Sequence, residues 1–424
     1  MKKRISAITL IFLCIVTGIL MFRLQYDKKK QQTNETPEKE TLTFLTFKRE
    51  TRHIFEKIIN DFNESQEDIY VEQISVPDPD QGLKIRAVQG NFPDVVEFIG
   101  AKNDVLEEYI QGGYLQPLTN CPITRLINEH FLEKLKTHND LYIIPLSVNY
   151  RGIFYNKKLM EEEGYTIPST YDELIDTMEQ IKKSGELPII FPDKDSWTIH
   201  QSWDAIDMSS RGSQDSLFQI ASKGITPLNL DSIAIDSTVK FGEIRKYGQE
   251  NTLNTGYDEA VKTFATEEAY MFLQGNWAYP MIKKINPEIE LLFMPFPTDT
   301  GNDPEIVAKI DASLGISASC NNPNAAQRFL DYVFSKPISS YYANMAGSYS
   351  CIKSVNSEDD YAQAFSDHLN EGTFSLEEKN YWEEKSDERD ILFQKLVSQS
   401  ENYTPETFLE ELNDLLTSYG GDSP

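Results

Sequence analysis

A strand–helix–strand pattern just after residue 40 constrains the fold of this chain more than any other feature. Residues 42–47 (LTFLTF) and residues 69–76 (IYVEQISV) are short apolar runs, typical of buried strands. The segment between them places five apolar side chains on one helical face, namely Ile54, Phe55, Ile58, Ile59 and Phe62. Strand, helix and strand within about 35 residues make a βαβ unit, which predicts an α/β fold.

The pattern of apolar and polar residues changes near the end of the first third of the chain. Predicted helices flank a third strand at residues 93–99, and the apolar run at residues 141–148 (LYIIPLSV) is then broken by Pro145. The following GIFYN is typical of a strand, and Thr170 with the glutamate three residues later has the spacing of a helix capping box. At 424 residues the chain exceeds one small domain, so we predict a second α/β body from about residue 147.

The charge distribution argues against polyanionic partners. The formal net charge is −27, and the first 30 residues contain seven Lys or Arg and one Asp, so the remainder carries −33. Such a body would be repelled by nucleic acid and by anionic lipid. We therefore expect no nucleic-acid partner and a ligand that is neutral or cationic.

The N-terminal segment predicts attachment to a membrane. Residues 5–22 carry no charge and follow three basic residues, and as a helix they would span about 27 Å, close to the hydrocarbon core of a bilayer. We predict a signal peptide or membrane anchor at residues 1–26 and a polar tether at residues 27–40. Cys14 raises the alternative of a lipoprotein, but Leu13 stands where a small residue is expected, so we interpret Cys14 as one more apolar side chain.

Sequence signatures of catalysis and metal binding are missing. The chain contains no Walker loop, GxGxxG, HExxH or GxSxG motif, and its four cysteines and five histidines show no zinc spacing. Ser350 and Lys353 fit Ser-x-x-Lys, but the motifs that accompany this pair in penicillin-binding enzymes are absent. An acidic stretch from Asp61 matches EF-hand positions, but Gln66 stands where the turn needs glycine. We predict that the protein is not an enzyme and uses neither a metal nor a cofactor.

Four segments carry a family resemblance. They are residues 82–98 (GLKIRAVQGNFPDVVEF), 145–175 (PLSVNYRGIFYNKKLMEEEGYTIPSTYDELI), 267–284 (EEAYMFLQGNWAYPMIKK) and 311–335 (DASLGISASCNNPNAAQRFLDYVFS). In this order they resemble the extracellular solute-binding proteins of bacterial ABC importers, in the sugar-binding family that includes maltose-binding protein. The Gly-x-Trp of the third segment and the Asn/Pro-capped helix of the fourth are part of that pattern.

The resemblance implies a two-lobed periplasmic-binding-protein-like α/β fold, with a ligand cleft between the lobes and three chain crossings at the hinge. The first crossing would lie at residues 145–148. The chain would return to the first lobe near residues 310–314 and leave it near 352–356. We assign the first lobe to residues 41–146 and 312–352, and the second to residues 147–311 and 353–424.

Candidate ligand-binding residues combine aromatic rings with polar groups, as the faces and hydroxyls of a sugar require. Lys48 and Arg49 follow the first strand, at the end where ligands of open α/β sheets collect. Trp197 and Trp203 stand among aspartates in FPDKDSWTIHQSWD, which we interpret as a polar loop that meets a ligand. Packing within one lobe is the alternative for each tryptophan. The resemblance adds five residues. It implies that Trp277 is the family's cleft tryptophan, that Asp195 is the acid of the second-lobe loop and that Phe98 is a cleft aromatic. Asn149 and Tyr349 lie near the implied crossings.

Together these features predict an extracytoplasmic solute-binding protein, tethered to the outer face of the cell membrane. It would capture a carbohydrate between its lobes and deliver it to the permease subunits of an ABC importer. We expect a monomer that works by lobe closure and performs no covalent chemistry. Two alternatives stay open: a non-sugar solute such as a polyamine, which the acidic body allows, and a ligand-presenting role beside a membrane sensor. The sequence specifies no particular sugar.

Overall fold

The computed structural model describes residues 23, 39–48, 51–76, 79–100, 104–212, 214–299, 304–353, 355, 361, 363–377, 386–398 and 403–418. The predicted leader with Cys14, most of the predicted tether, and Arg49 lie outside the described residues. Within these ranges no helix is both long and apolar enough to cross a membrane. The same ranges contain no group of three or more His, Cys, Asp or Glu side chains that could hold a metal ion.

Strands and helices alternate along most of the chain. The strands are β1 (Glu40–Leu45), β2 (Ile69–Ile74), β3 (Val95–Phe98), β4 (Ile143–Asn149), β5 (Arg151–Asn156), β6 (Leu187–Ile190), β7 (Ala269–Gly275), β8 (Leu291–Met294), β9 (Val307–Ile316), β10 (Tyr349–Ser350) and β11 (Ser375–Glu377). The helices are α1 (Arg52–Ser65), α2 (Pro79–Gln89), α3 (Asp104–Gln111), α4 (Glu129–Leu135), α5 (Lys157–Glu162), α6 (Tyr171–Ser184), α7 (Ser196–Arg211), α8 (Gln214–Ser222), α9 (Ser232–Ile244), α10 (Tyr257–Ala265), α11 (Tyr279–Ile285), α12 (Pro323–Val333), α13 (Lys336–Ala346), α14 (Gln363–Glu371), α15 (Ser386–Val397) and α16 (Pro405–Thr417).

The first sheet contains the predicted βαβ unit. Its strand order is β10-β4-β9-β3-β1-β2, and β11 pairs with β9 off this path. β1 runs parallel to β2 and to β3, and the five predicted apolar residues of α1 are all buried, so the βαβ prediction is confirmed. β9 runs antiparallel to both β3 and β4. The carboxyl ends of β1 and β3 therefore lie at one edge of the sheet. Lys48 follows β1 there, and Phe98 is the last residue of β3.

The second sheet has the order β6-β7-β5-β8, in which β5 lies antiparallel between β7 and β8. Side chains alternate across a strand, so β5 contributes to two different hydrophobic clusters. Ile153 and Tyr155 belong to the cluster that also holds Trp203, whereas Phe154 packs in the cluster that extends to the first sheet. Apolar side chains therefore cover both faces of the second sheet.

The chain changes from the first sheet to the second at Tyr150. Val148 and Asn149 still pair with Ile310 and Lys309 of β9, and the next strand begins at Arg151. The lobe limits predicted after residues 146 and 311 fall inside β4 and β9, since the ladder between these strands continues past both points. β11, predicted within the second lobe, pairs with β9 of the first sheet. The exact lobe limits stay a proposal.

Helix caps explain where several elements begin. Thr170 and Glu173 form the predicted capping box at the start of α6, and Thr404 accepts from the backbone N–H of Thr407 at the start of α16.

The expectation of a polar loop at FPDKDSWTIHQSWD is wrong, because α7 begins at Ser196. That helix directs Ile199, Trp203 and Ile206 into the core at helical spacing.

Candidate ligand-binding site

Three aromatic side chains from separate elements of the second lobe form a cluster. The ring centroids of Trp197 and Trp277 are 6.4 Å apart with a tilt of 49°, and those of Trp197 and Tyr257 are 5.1 Å apart with a tilt of 60°. Trp197 lies in the first turn of α7, Tyr257 begins α10, and Trp277 lies in the 3-10 turn that follows β7. Trp197 is 36% exposed, so the cluster presents an aromatic face to solvent.

Glycine at position 275 makes room for the Trp277 indole. A Cβ atom added to Gly275 would lie 2.1 Å from two ring atoms of Trp277, a distance that no real contact allows. The indole therefore packs directly on the backbone at the end of β7, which explains the glycine two residues before this tryptophan. The indole Nε1 is buried and has no hydrogen-bond partner among the described residues.

Asp195 fixes the relative position of two members of this aromatic cluster. One of its carboxylate oxygens accepts a hydrogen bond from the backbone N–H of Tyr257 at 2.6 Å. Asp195 also immediately precedes α7, whose second residue is Trp197. The predicted acid thus ties the start of α10 to the start of α7.

A polar cluster surrounds Asp311 of β9 in the first lobe. Its carboxylate accepts from Asn149 Nδ2 at 2.7 Å and from Ser147 Oγ at 3.3 Å, and it forms an ion pair with Lys48. Asp311 and Asn149 are both almost fully buried. Residues far apart in sequence therefore converge on one carboxylate because β4 and β9 are neighbours and β1 ends beside them.

Glu97 adds a second buried carboxyl to the end of β1. One oxygen accepts from the backbone N–H groups of Phe47 at 2.7 Å and Lys48 at 3.3 Å. Burial raises the pKa of Glu97 to about 7, although the Lys48 charge and the two N–H groups oppose that rise. Within the described ranges its other oxygen, Oε1, makes no hydrogen bond.

Tyr150 and Asn276 join the aromatic and polar clusters. The backbone N–H of Tyr150 donates to Asn276 Oδ1 at 2.8 Å, and the backbone N–H of Asn276 donates to the Tyr150 carbonyl at 3.1 Å. Asn149 of the polar cluster immediately precedes Tyr150, and Trp277 immediately follows Asn276. The two clusters therefore adjoin at the residue where the chain passes between the sheets.

The remaining predicted residues occupy different surroundings. Phe98 is buried and stacks on Phe47, with ring centroids 6.0 Å apart. Tyr349 is buried in β10 and meets the ring of Tyr150 edge-on at 5.4 Å, and burial raises the pKa of its hydroxyl. The structure places Trp203 in the core of the second lobe, where it is 0% exposed and its Nε1 donates to Thr238 Oγ1 at 3.1 Å. This position corrects the expectation that Trp203 lies in a ligand-facing loop.

The structure brings together five of the predicted site residues in the two clusters, namely Trp277, Trp197, Asp195, Lys48 and Asn149. Sequence reasoning missed Tyr257, Glu97, Asp311 and Asn276. Glu97 carries a signal that could have found it, because it is the one charged residue within the apolar strand β3, and Asp311 carries a weaker one, because β9 also contains Lys309. Tyr257 and Asn276 show no comparable signal.

Comparison with known proteins identifies relatives over most of the chain. The family model described as bacterial extracellular solute-binding protein matches residues 49–338. The multiple sugar-binding protein of Streptococcus mutans is 28% identical over 348 residues, which cover 81% of this chain and 82% of that protein. An uncharacterised ABC transporter extracellular-binding protein of Pyrococcus horikoshii is 22% identical over 290 residues, covering 66% of this chain and 59% of that protein.

Solved structures share the fold at lower sequence identity. The solute-binding protein RafE in complex with raffinose superposes with a TM-score of 0.78 at 23% identity, covering 90% of this chain and 100% of RafE. A sugar transporter protein from Bacillus licheniformis in complex with stachyose superposes with a TM-score of 0.67 at 18% identity, covering 89% of this chain and 99% of that chain. The predicted two-lobed α/β fold is confirmed.

Proposed function

The chain belongs to the family of bacterial extracellular solute-binding proteins, and on that premise we propose that it captures an oligosaccharide between its two lobes and delivers it to the permease of an ABC importer. Membership of this family supports a binding role without covalent chemistry. The sugar, the permease and the attachment to the membrane are the parts that we propose.

The observation that carries the proposal is the junction of two unlike clusters at Tyr150. Sugars present C–H faces that pack on aromatic rings and hydroxyl edges that bond to carboxylates, amides and ammonium groups. Trp197, Tyr257 and Trp277 offer rings on the second-lobe side, and Lys48 and Asn149 with Asp311 offer polar groups on the first-lobe side. A ligand held between the lobes would meet both.

The printed names of the relatives support a sugar as the solute. The Streptococcus mutans relative is called a multiple sugar-binding protein, and two of the solved structures are described in complex with raffinose and with stachyose. Both sugars are short oligosaccharides with several pyranose faces. The aromatic cluster of this chain has the chemistry to stack on such faces.

A cationic solute is the second candidate, because the polar cluster has an excess of carboxyl groups. Glu97 and Asp311 lie around a single lysine, Lys48, and the body of the protein is strongly acidic. A polyamine would neutralise that excess. The raised pKa of Glu97 weakens this candidate, since burial favours the uncharged carboxyl over the carboxylate that would attract a polyamine.

A thermal-shift panel tests the proposal. Ligands that bind the native state alone raise its stability, by about 2.7 kcal/mol at a concentration one hundred times the dissociation constant. We expect raffinose or stachyose to raise the melting temperature and spermidine to leave it unchanged. Stabilisation by spermidine alone would reject the sugar in favour of the cation.

X-ray scattering then tests the mechanism of lobe closure. If the lobes hinge at Tyr150, a sugar that stabilises the protein should also reduce its radius of gyration. An unchanged radius with the sugar bound would count against capture by closure.

A further inference from the structure

We infer that Asn276 is a positioning residue that couples the ligand-facing Trp277 to the hinge between the lobes. This inference rests on the proposed function in one respect, the assignment of Trp277 to the ligand site. The coupling itself is argued from the hydrogen bonds of Asn276 and from the segments that they join.

The Asn276 amide is bonded at both ends in a fully buried position. Its Oδ1 accepts from the backbone N–H of Tyr150 at 2.8 Å, and its Nδ2 donates to the carbonyl of Gly347 at 2.6 Å. The side chain is 0% exposed. An aspartate, a serine or an apolar residue could not make both bonds, because the position requires an acceptor and a donor at fixed separation.

These bonds join segments of both sheets to the residue between them. Asn276 directly follows β7 of the second sheet, and Tyr150 is the single residue between β4 of the first sheet and β5 of the second. Gly347 precedes β10, which pairs with β4 in the first sheet. One amide therefore connects the second lobe both to the crossing residue and to a segment of the first lobe.

The contact with Gly347 is close enough to transmit movement. Gly347 adopts a positive φ of 64°, and an added Cβ atom would lie 2.7 Å from the carbonyl oxygen of Asn276 and 2.5 Å from Cδ of Pro280. A side chain at this position would separate the two segments. Their backbones are consequently in direct contact, and a displacement of one must move or break its bond to the other.

Trp277 is fixed by the same elements. Gly275 pairs with Arg151 in the ladder between β7 and β5, and the Asn276–Tyr150 bonds extend this pairing by one residue to the crossing. Trp277 is the next residue, and its indole packs on the Gly275 backbone. A rotation of the first lobe about Tyr150 would thus act on Asn276 and, through it, on the orientation of the indole.

The test replaces the amide and compares the result with a matched amide elsewhere. Asn276→Asp keeps the shape and the acceptor for Tyr150 but loses the donor to Gly347, and Asn276→Ser serves if the aspartate variant does not fold. Gln249→Glu is the control, because the Gln249 amide also bonds at both ends, to the backbone N–H and carbonyl of Phe191, at 3.1 and 2.6 Å. Both control contacts lie within the second lobe.

Three readouts separate positioning from general destabilisation. We expect the Asn276 variants to change the radius of gyration of the sugar-free protein and to accelerate hydrogen exchange in the peptide that contains Tyr150. We also expect about a tenfold or greater loss of affinity for stachyose, the scale of one hydrogen bond that is left unmade. Gln249→Glu should change none of the three.

The inference is overturned if both Asn276 variants keep the scattering and exchange of the native protein, or if Gln249→Glu produces the same changes. The sugar-free readouts decide this without a ligand. Failure of the native protein to bind raffinose or stachyose would therefore reject the proposed function while leaving the coupling test intact.

Discussion

Arg151 and Glu377 form an ion pair between the two sheets, with Nη1 and Oε2 3.2 Å apart and side chains that are 5% and 2% exposed. Arg151 begins β5 of the second sheet, and Glu377 ends β11 of the first. The guanidinium also donates to Gln201 of α7, and Lys309 of β9 lies 3.5 Å from the other Glu377 oxygen. A buried network of charges therefore joins the sheets beside the crossing at Tyr150.

We expect Glu377→Gln to destabilise the protein by up to about 3–5 kcal/mol near neutral pH, because it removes the nearer of the two buried carboxylates that face Arg151, the other being that of Asp204 at 4.0 Å. Burial alone would raise the pKa of Glu377, but the charges of Lys309 and Arg151 hold it below its ordinary value. A depressed pKa in the folded state gives stability that is present above the unfolded pKa and lost as the pH falls. Urea unfolding should therefore show the native protein and the variant converging as the pH falls below 4.5, the ordinary pKa of this carboxyl.

The exposed Lys57–Asp61 pair provides the control for this experiment. Both side chains are largely in solvent, so Asp61→Asn should leave the unfolding free energy nearly unchanged. Equal effects of the two substitutions would show that the interlobe pair contributes no more than a surface pair.

Trp277→Ala should weaken sugar binding far more than it weakens the fold. A central aromatic anchor cut to alanine typically costs about 2–4 kcal/mol of binding free energy, which is roughly 30- to 1,000-fold in affinity. Trp203→Ala is the matched core substitution and should cost about 3–5 kcal/mol of folding stability while the folded fraction retains its affinity. Calorimetric titration with stachyose and urea unfolding of both variants measure the contrast. Near-native affinity in a well-folded Trp277→Ala protein would remove Trp277 from the site.

Gly275→Ala should displace the same indole without removing it. The new methyl group would overlap the ring of Trp277, so the ring must rotate away, and we expect about a tenfold loss of affinity if one aromatic contact is weakened. Gly242→Ala, inside α9 with open space around it, should instead stabilise the protein by about 0.5–1 kcal/mol. If stachyose binds Gly275→Ala as tightly as the native protein, the packing of the indole on Gly275 does not shape the site.

The sequence predicted the elements that depend on local periodicity. The βαβ unit from residue 42 and the capping box at Thr170 both follow from spacings within one segment. Trp203 was misplaced because the aspartates around it suggest a polar loop. Only Asp204 of these aspartates lies in α7, whereas Asp193 and Asp195 precede the helix, and Ile199 and Ile206 of α7 point into the core with Trp203.

The polar cluster could not be predicted from local patterns. Lys48 and Asp311 are separated by 263 residues, and Asn149 and Asp311 by 162. Their contact requires β9 to lie beside β4 and close to the end of β1, which is a property of the sheet order. The apolar residues that flank Asp311 in β9 indicate burial but do not indicate its partners.

The proposed attachment to the membrane depends on residues 5–22, whose uncharged length matches a bilayer. We expect the native protein to fractionate with membranes and a form that begins at residue 39 to be released. Cys14→Ser should remain attached if the apolar helix is the anchor. Release of Cys14→Ser alone would instead indicate attachment through a lipid on that cysteine.

Glu97 should make the stability of the protein depend on pH between about 4.5 and 7. Its ordinary pKa is 4.5, and burial raises the pKa of the folded state to about 7. The groups that face it are Lys48, Asp311 and the buried hydroxyl of Tyr342. Because the folded state holds this proton more tightly than the unfolded chain, its contribution to stability is complete below the unfolded pKa and is lost as the pH rises through the folded pKa.

Glu97→Gln keeps an acceptor for the backbone N–H of Phe47 but cannot ionise. At 1.36 kcal/mol per pKa unit, we expect the variant to gain about 3 kcal/mol relative to the native protein between about pH 4.5 and pH 8. Urea unfolding across this range measures the difference, with Glu56→Gln on the exposed face of α1 as the control. Because all other carboxyl groups are shared by the two proteins, parallel pH profiles of native and Glu97→Gln protein would show that Glu97 does not titrate in this range.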